Sequence, residues 1–80
     1  MNNVPEQTFS DLYQASLLVL SETEVQAFRL EQASGHRILQ EVGQLRRALS
    51  LAYVAKDQSE FEQLTEELKV LVVTTRMLLD

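Results

Sequence analysis

A chain of 80 residues makes one small domain and buries little more than half of the surface its unfolded form exposes. A formal charge of -5 works against binding to phosphate backbones and to anionic lipid. The absence of Cys removes disulfides and thiolate metal sites, while scarce Gly and Pro and ordinary apolar content argue against disorder.

The pattern is helical almost throughout, because alternation and turn dipeptides are missing. The first predicted helix spans about residues 8–20. Phe9, Leu12, Tyr13, Leu17 and Leu20 recur at helical spacing, with Thr8 as a candidate cap answered by Asp11. At "SETE", Ser21 followed by Glu24 is a capping-box pattern and places a break near Ser21.

The second predicted helix covers about residues 22–55. Ile38, Val42, Leu45, Leu49 and Ala52 alternate steps of four and three and draw one apolar stripe. Arg46 and Arg47 fall off that stripe. Gly35 marks a kink, a break or a close crossing by another helix, since glycine inside a helix costs about 1 kcal/mol relative to alanine.

A second break falls at "KDQSEF", where Asp57 with Glu60, or Ser59 with Glu62, forms a capping box. The third predicted helix covers about residues 59–79, with a stripe through Phe61, Leu64, Leu68, Leu71, Thr75 and Leu78. A short turn between two long helices makes them antiparallel neighbours, so the expected fold is all-α: a helical hairpin with a shorter N-terminal helix, or a three-helix bundle.

After Lys69 the third helix gains a second stripe at Val70, Val73 and Met77, and Val72 and Leu79 widen the apolar arc. One hairpin partner covers only one side of a helix. Either the first helix covers the second stripe with Leu17, Leu18 and Leu20, or another chain does. Leu51, Val54 and Ala55 also lie outside the first stripe of helix two, so apolar surface is left over in both cases. The candidate partner-binding residues are therefore Val70, Val73, Met77, Leu51 and Val54.

Catalytic and metal chemistry finds no support in these residues. His36 has no carboxylate three residues before it, as a helical di-iron ligand set would require. Glu60, Glu62, Glu66 and Glu67 suit a solvated helix face and a favoured helix N-terminus. Ser10, Ser21 and Ser59 have no base in sight and sit as caps or turn residues. Arg37, Arg46 and Arg47 make a basic spot too small for nucleic acid, and Glu41, four residues after Arg37, offers part of it a surface ion pair. The expectation is a non-enzyme with no cofactor and no metal. Because "MNNVPEQ" lacks a signal peptide's basic and apolar regions and no stretch reaches the ~20 apolar residues of a membrane span, a cytoplasmic location is expected.

From about Gln44 to Leu79 the chain resembles the small co-chaperones of bacterial type III secretion that hold the needle subunit before export. The residues that carry this are Asp57, Gln58 and Phe61, followed by "LKVLVVTTRMLL". The resemblance implies a helical hairpin that works in a complex with a helical-repeat chaperone and the needle subunit. Its partner-facing surface would be the hairpin's apolar faces, including Val70, Val73 and Met77. The expected function is a small acidic adaptor or co-chaperone. The alternatives are a self-assembling homodimeric bundle and a small phage or bacterial inhibitor or antitoxin using the same surface.

Overall fold

A computed structural model describes residues 6–80, except for the side chain of Glu6. It is an all-α bundle of three helices: α1 (Glu6–Ala27), α2 (Gln32–Val54) and α3 (Gln58–Leu79). Phe9 of α1 meets Phe61 of α3, ring centroids 4.9 Å apart, so these two helices start at the same end and run parallel. Helix α2 returns between them, antiparallel to both. The bundle measures 43 × 20 × 16 Å.

Each helix contributes a stripe of alternating three- and four-residue steps, the spacing that keeps side chains on one face. In α1 the buried stripe is Phe9, Ser16, Leu20, Thr23 and Ala27, with Tyr13 half-buried within it. In α2 it is Gly35, Ile38, Val42, Leu45, Leu49 and Ala52, and in α3 Phe61, Leu64, Leu68, Leu71 and Thr75. The stripes expected for α2 and α3 are thus the ones that pack, except that Leu78 is half exposed.

Three core positions carry hydroxyls, and each donates to the carbonyl four residues back. Ser16 reaches Leu12 at 2.9 Å, Thr23 reaches Val19 at 2.9 Å and Thr75 reaches Leu71 at 2.8 Å. This satisfies a buried donor without a partner from another helix.

The break near Ser21 is not there. Helix α1 runs through Ser21, which lies exposed on its outer face, and ends at Ala27; α2 starts at Gln32 rather than at residue 22. The stripe explains why. Leu20, Thr23 and Ala27 continue its three–four rhythm past Ser21, so packing holds the helix through that point. The next step, of three, falls on Leu30, which packs against the core from the turn rather than from the helix. The chain turns over residues 28–31, where the N–H groups of Phe28, Arg29 and Leu30 donate to carbonyls three residues back. Thr8 lies inside α1, not at its start.

Gly35 proves to be the close crossing. A Cβ placed there would lie 2.7 Å from the carbonyl oxygen of Ala27. The turn between α2 and α3 has a different origin. Lys56 takes a left-handed conformation with φ 60°, and the Asp57 carboxylate accepts the N–H of Glu60 at 3.0 Å. Asp57 is therefore the cap of α3, and Ser59 falls inside the helix.

Candidate protein-binding surfaces

Helix α1 does close a three-helix bundle, but it does not cover the second stripe of α3. Leu20 is buried, Leu17 is half-buried, and Leu18 points outward into solvent. Val70, Val73 and Met77 remain 65%, 54% and 71% exposed, and Leu51 and Val54 are 65% and 74% exposed. All five candidate residues are accessible. They do not form one surface.

Val70 lies on the wall of a groove between α2 and α3. The groove has a volume of about 740 Å³ and runs from Ala48 and Leu64 near one end to Ser34 and Leu78 near the other. Its floor is the outer side of the core, Ile38, Leu45, Leu64 and Leu71. Small side chains keep it open: Ala33, Ser34 and Ala48 on α2 and Thr74 on α3. Arg37, Glu41 and Glu67 line it as well, and none of them holds an ion pair among the described residues. The surface pair expected between Arg37 and Glu41 does not form.

Val73 and Met77 sit one helical step outside this groove, on the outer edge of α3. Leu51 belongs elsewhere. It lines a second, shallower groove between α1 and α2 with Tyr13, Leu17, Gly43, Arg46 and Arg47. Val54 sits at the last turn of α2, at the opposite end of the bundle from Met77.

Several residues that shape these surfaces escape the apolar-stripe argument. Ala48, Thr74 and Ser34 matter because they are small, which periodicity of large side chains does not register. Val25 and Phe28, both exposed at the end of α1, add apolar surface that a helix ending at Leu20 would have hidden from view. The side chain of Arg46 finds Glu24 across the α1–α2 seam at 3.3 Å, a pair that links the two helices.

Among the described residues, no group of His, Asp and Glu is placed to hold a metal ion, and no helix is long and apolar enough to cross a membrane. No buried side-chain polar atom among them lacks a hydrogen-bond partner. What the structure offers is apolar relief on helix faces. Comparisons with protein-family models, with curated proteins and with solved structures found no match to this chain.

Proposed function

We propose that the protein is a non-catalytic adaptor or co-chaperone that receives an apolar helix of a partner protein in the groove between α2 and α3. One observation carries this reading: α1 covers one side of the α2–α3 hairpin and leaves an open apolar groove of about 740 Å³ on the other. A helix laid there would make a fourth bundle member, gaining from burial of Val70 and Leu78 over the floor of Leu45 and Leu71. Ser34 to Ala48 spans ~21 Å at the helical rise, enough for about four turns of a guest helix. Glu41 and Glu67 on opposite walls favour basic residues along the guest's flanks, and Arg37 favours an acid at one end.

The more specific form of this proposal is a type III secretion co-chaperone, acting in the cytoplasm with a helical-repeat chaperone and a needle subunit. The α2–α3 hairpin supplies the element such a role needs, and the groove supplies its apolar face.

The test is co-purification from the native host with wild-type protein and with a Val70→Asp, Leu78→Asp double variant. Val70 is mostly exposed and Leu78 half exposed, so helical circular dichroism should persist. A stoichiometric partner held by the wild type and lost by the folded variant supports the reading. A variant that keeps the same partner sinks it. A partner enzyme that loses activity on binding would shift the role to that of an inhibitor using the same groove.

A further inference from the structure

We infer that the groove between α1 and α2 is a docking site for a second copy of this chain, which enters it with the outer edge of α3. Gly43 provides the opening. It is exposed in the middle of α2, and a methyl group added there would meet nothing within 4 Å. Nothing within the fold therefore needs this glycine, although a helix interior disfavours it. A bare backbone beside a groove lets another helix approach closely.

The walls of this groove are apolar and basic. Leu17 and Leu51 face it with the ring of Tyr13, and Arg46 and Arg47 line it with no acid among the lining residues. Arg46 is engaged by Glu24, while Arg47 holds no ion pair among the described residues. In a chain of net charge -5, this is a locally positive site.

The outer edge of α3 is its complement. Leu51, Arg47 and Gly43 are spaced by one helical turn each, and so are Val70, Glu66 and Glu62 on α3. Sliding the second copy's α3 along the groove sets its Val70 on Leu51, its Glu66 beside Arg47 and its Glu62 over the gap at Gly43. Val73, one step along, then falls toward Tyr13, which lies level with Tyr53 on α2. Glu66 already meets Lys69 at 2.9 Å, but that pair is exposed, and the carboxylate has a second oxygen for Arg47. The two surfaces differ, so the contact is heterologous and builds head-to-tail chains or a closed ring rather than a two-fold dimer. Because Val70 lies on the rim of the α2–α3 groove and also on this edge, self-association and filling of that groove compete for it. The docking itself does not rest on the proposed adaptor role.

Two variants and their mixture test it by sedimentation equilibrium. The wild type should show a mass that rises with concentration above 9.1 kDa and falls back when salt is raised. Gly43→Leu fills the groove, and Val73→Asp spoils the edge. Each alone should stay at the monomer mass, and Gly43→Leu should melt no lower than the wild type. Mixed in equal amounts, they should form a dimer that grows no further, because each retains the surface the other has lost. A wild type that remains monomeric up to millimolar concentration overturns the inference. So does a Gly43→Leu variant that associates as the wild type does, or a mixture that stays monomeric. Leu78 lies in the α2–α3 groove and off the docking edge. Partner capture that is lost on Leu78→Asp but kept by Gly43→Leu and Val73→Asp would separate the adaptor reading from this one.

Discussion

The two ends of the bundle are built differently. At the α2–α3 turn, Phe9, Tyr13, Tyr53 and Phe61 form an aromatic cluster. Tyr13 stacks on Tyr53 at 4.4 Å between centroids, and Phe9 meets Phe61 edge-on at 4.9 Å. Lys56 places its ammonium 5.4 Å from the Tyr53 ring. At the other end the core narrows to Thr23, Ala27, Gly35 and Thr75. Large rings bury much area per residue and lock together by edge and face; small residues instead bring backbones close and leave the outer faces bare. The apolar edge of α3, with Val73 and Met77, lies toward this thin end. The aromatic end thus anchors the fold, and the apolar edge of α3 is left accessible toward the thin end.

The most direct way to break this contrast is Phe61→Ala. Phe61 is buried and touches rings from α1, so the variant opens a cavity where all three helices meet. The expected loss is about 3–5 kcal/mol, read from urea unfolding. That is comparable to the whole stability of a domain this small, so the variant should be largely unfolded near body temperature. If Phe61→Ala were tolerated with under ~1 kcal/mol lost, the aromatic cluster would not be the anchor of the fold.

At the thin end the sensitive residue is Gly35. Adding a methyl group sets it against the backbone oxygen of Ala27, which cannot swing away as a side chain would. Gly35→Ala should destabilise by about 1–3 kcal/mol even though alanine is the better helix former. Gly43→Ala is the control with the opposite sign, since nothing crowds it, and should stabilise by up to about 1 kcal/mol. Thermal melts of the two variants side by side check the pair. Equal effects would mean that neither glycine is placed by packing.

A third variant addresses the turn itself. Asp57→Ala removes the carboxylate that accepts the N–H of Glu60, and should cost about 1 kcal/mol in the same melts. Asn at this position should keep most of the stability, because its side-chain oxygen caps equally well.

This contrast also marks what was legible in the residues. The α2–α3 turn could be placed because its determinants are local: Asp57 and Glu60 lie within one turn of each other. The stripes of α2 and α3 could be placed because burial selects large apolar residues at fixed spacing. The α1–α2 junction could not, since its cause is tertiary. Ser21 and Glu24 have the residue types of a capping box but sit on an uninterrupted helix whose stripe continues to Ala27. Gly35 was open to three readings, and only the approach of Ala27 selects among them. The same limit applies to the surfaces. Counting stripes singles out Val70, Val73 and Met77 but leaves open whether α1 covers them, and the separation of Leu51 into another groove likewise depends on which flank of α2 receives α1.

The smallest effect belongs to the ion pair that ties α1 to α2 between the two ends. Arg46 and Glu24 lie 3.3 Å apart with side chains 39% and 40% exposed, so solvent screens much of their attraction. Glu24→Gln, Arg46→Gln and the double variant form a cycle whose coupling should be about 0.2–1 kcal/mol and should shrink as salt is raised. The location of the pair makes the measurement informative beyond its size. Glu24 lies one residue past Thr23, in the half of α1 that a break at Ser21 would have assigned to a different helix. A coupling that survives in the folded protein therefore reports, in solution, that α1 continues past Ser21 and lies along α2. A coupling of zero, with both single variants behaving like the wild type, would leave the seam between these helices to apolar packing alone. The junction at residues 28–31 would then rest on Gly35 and Ala27.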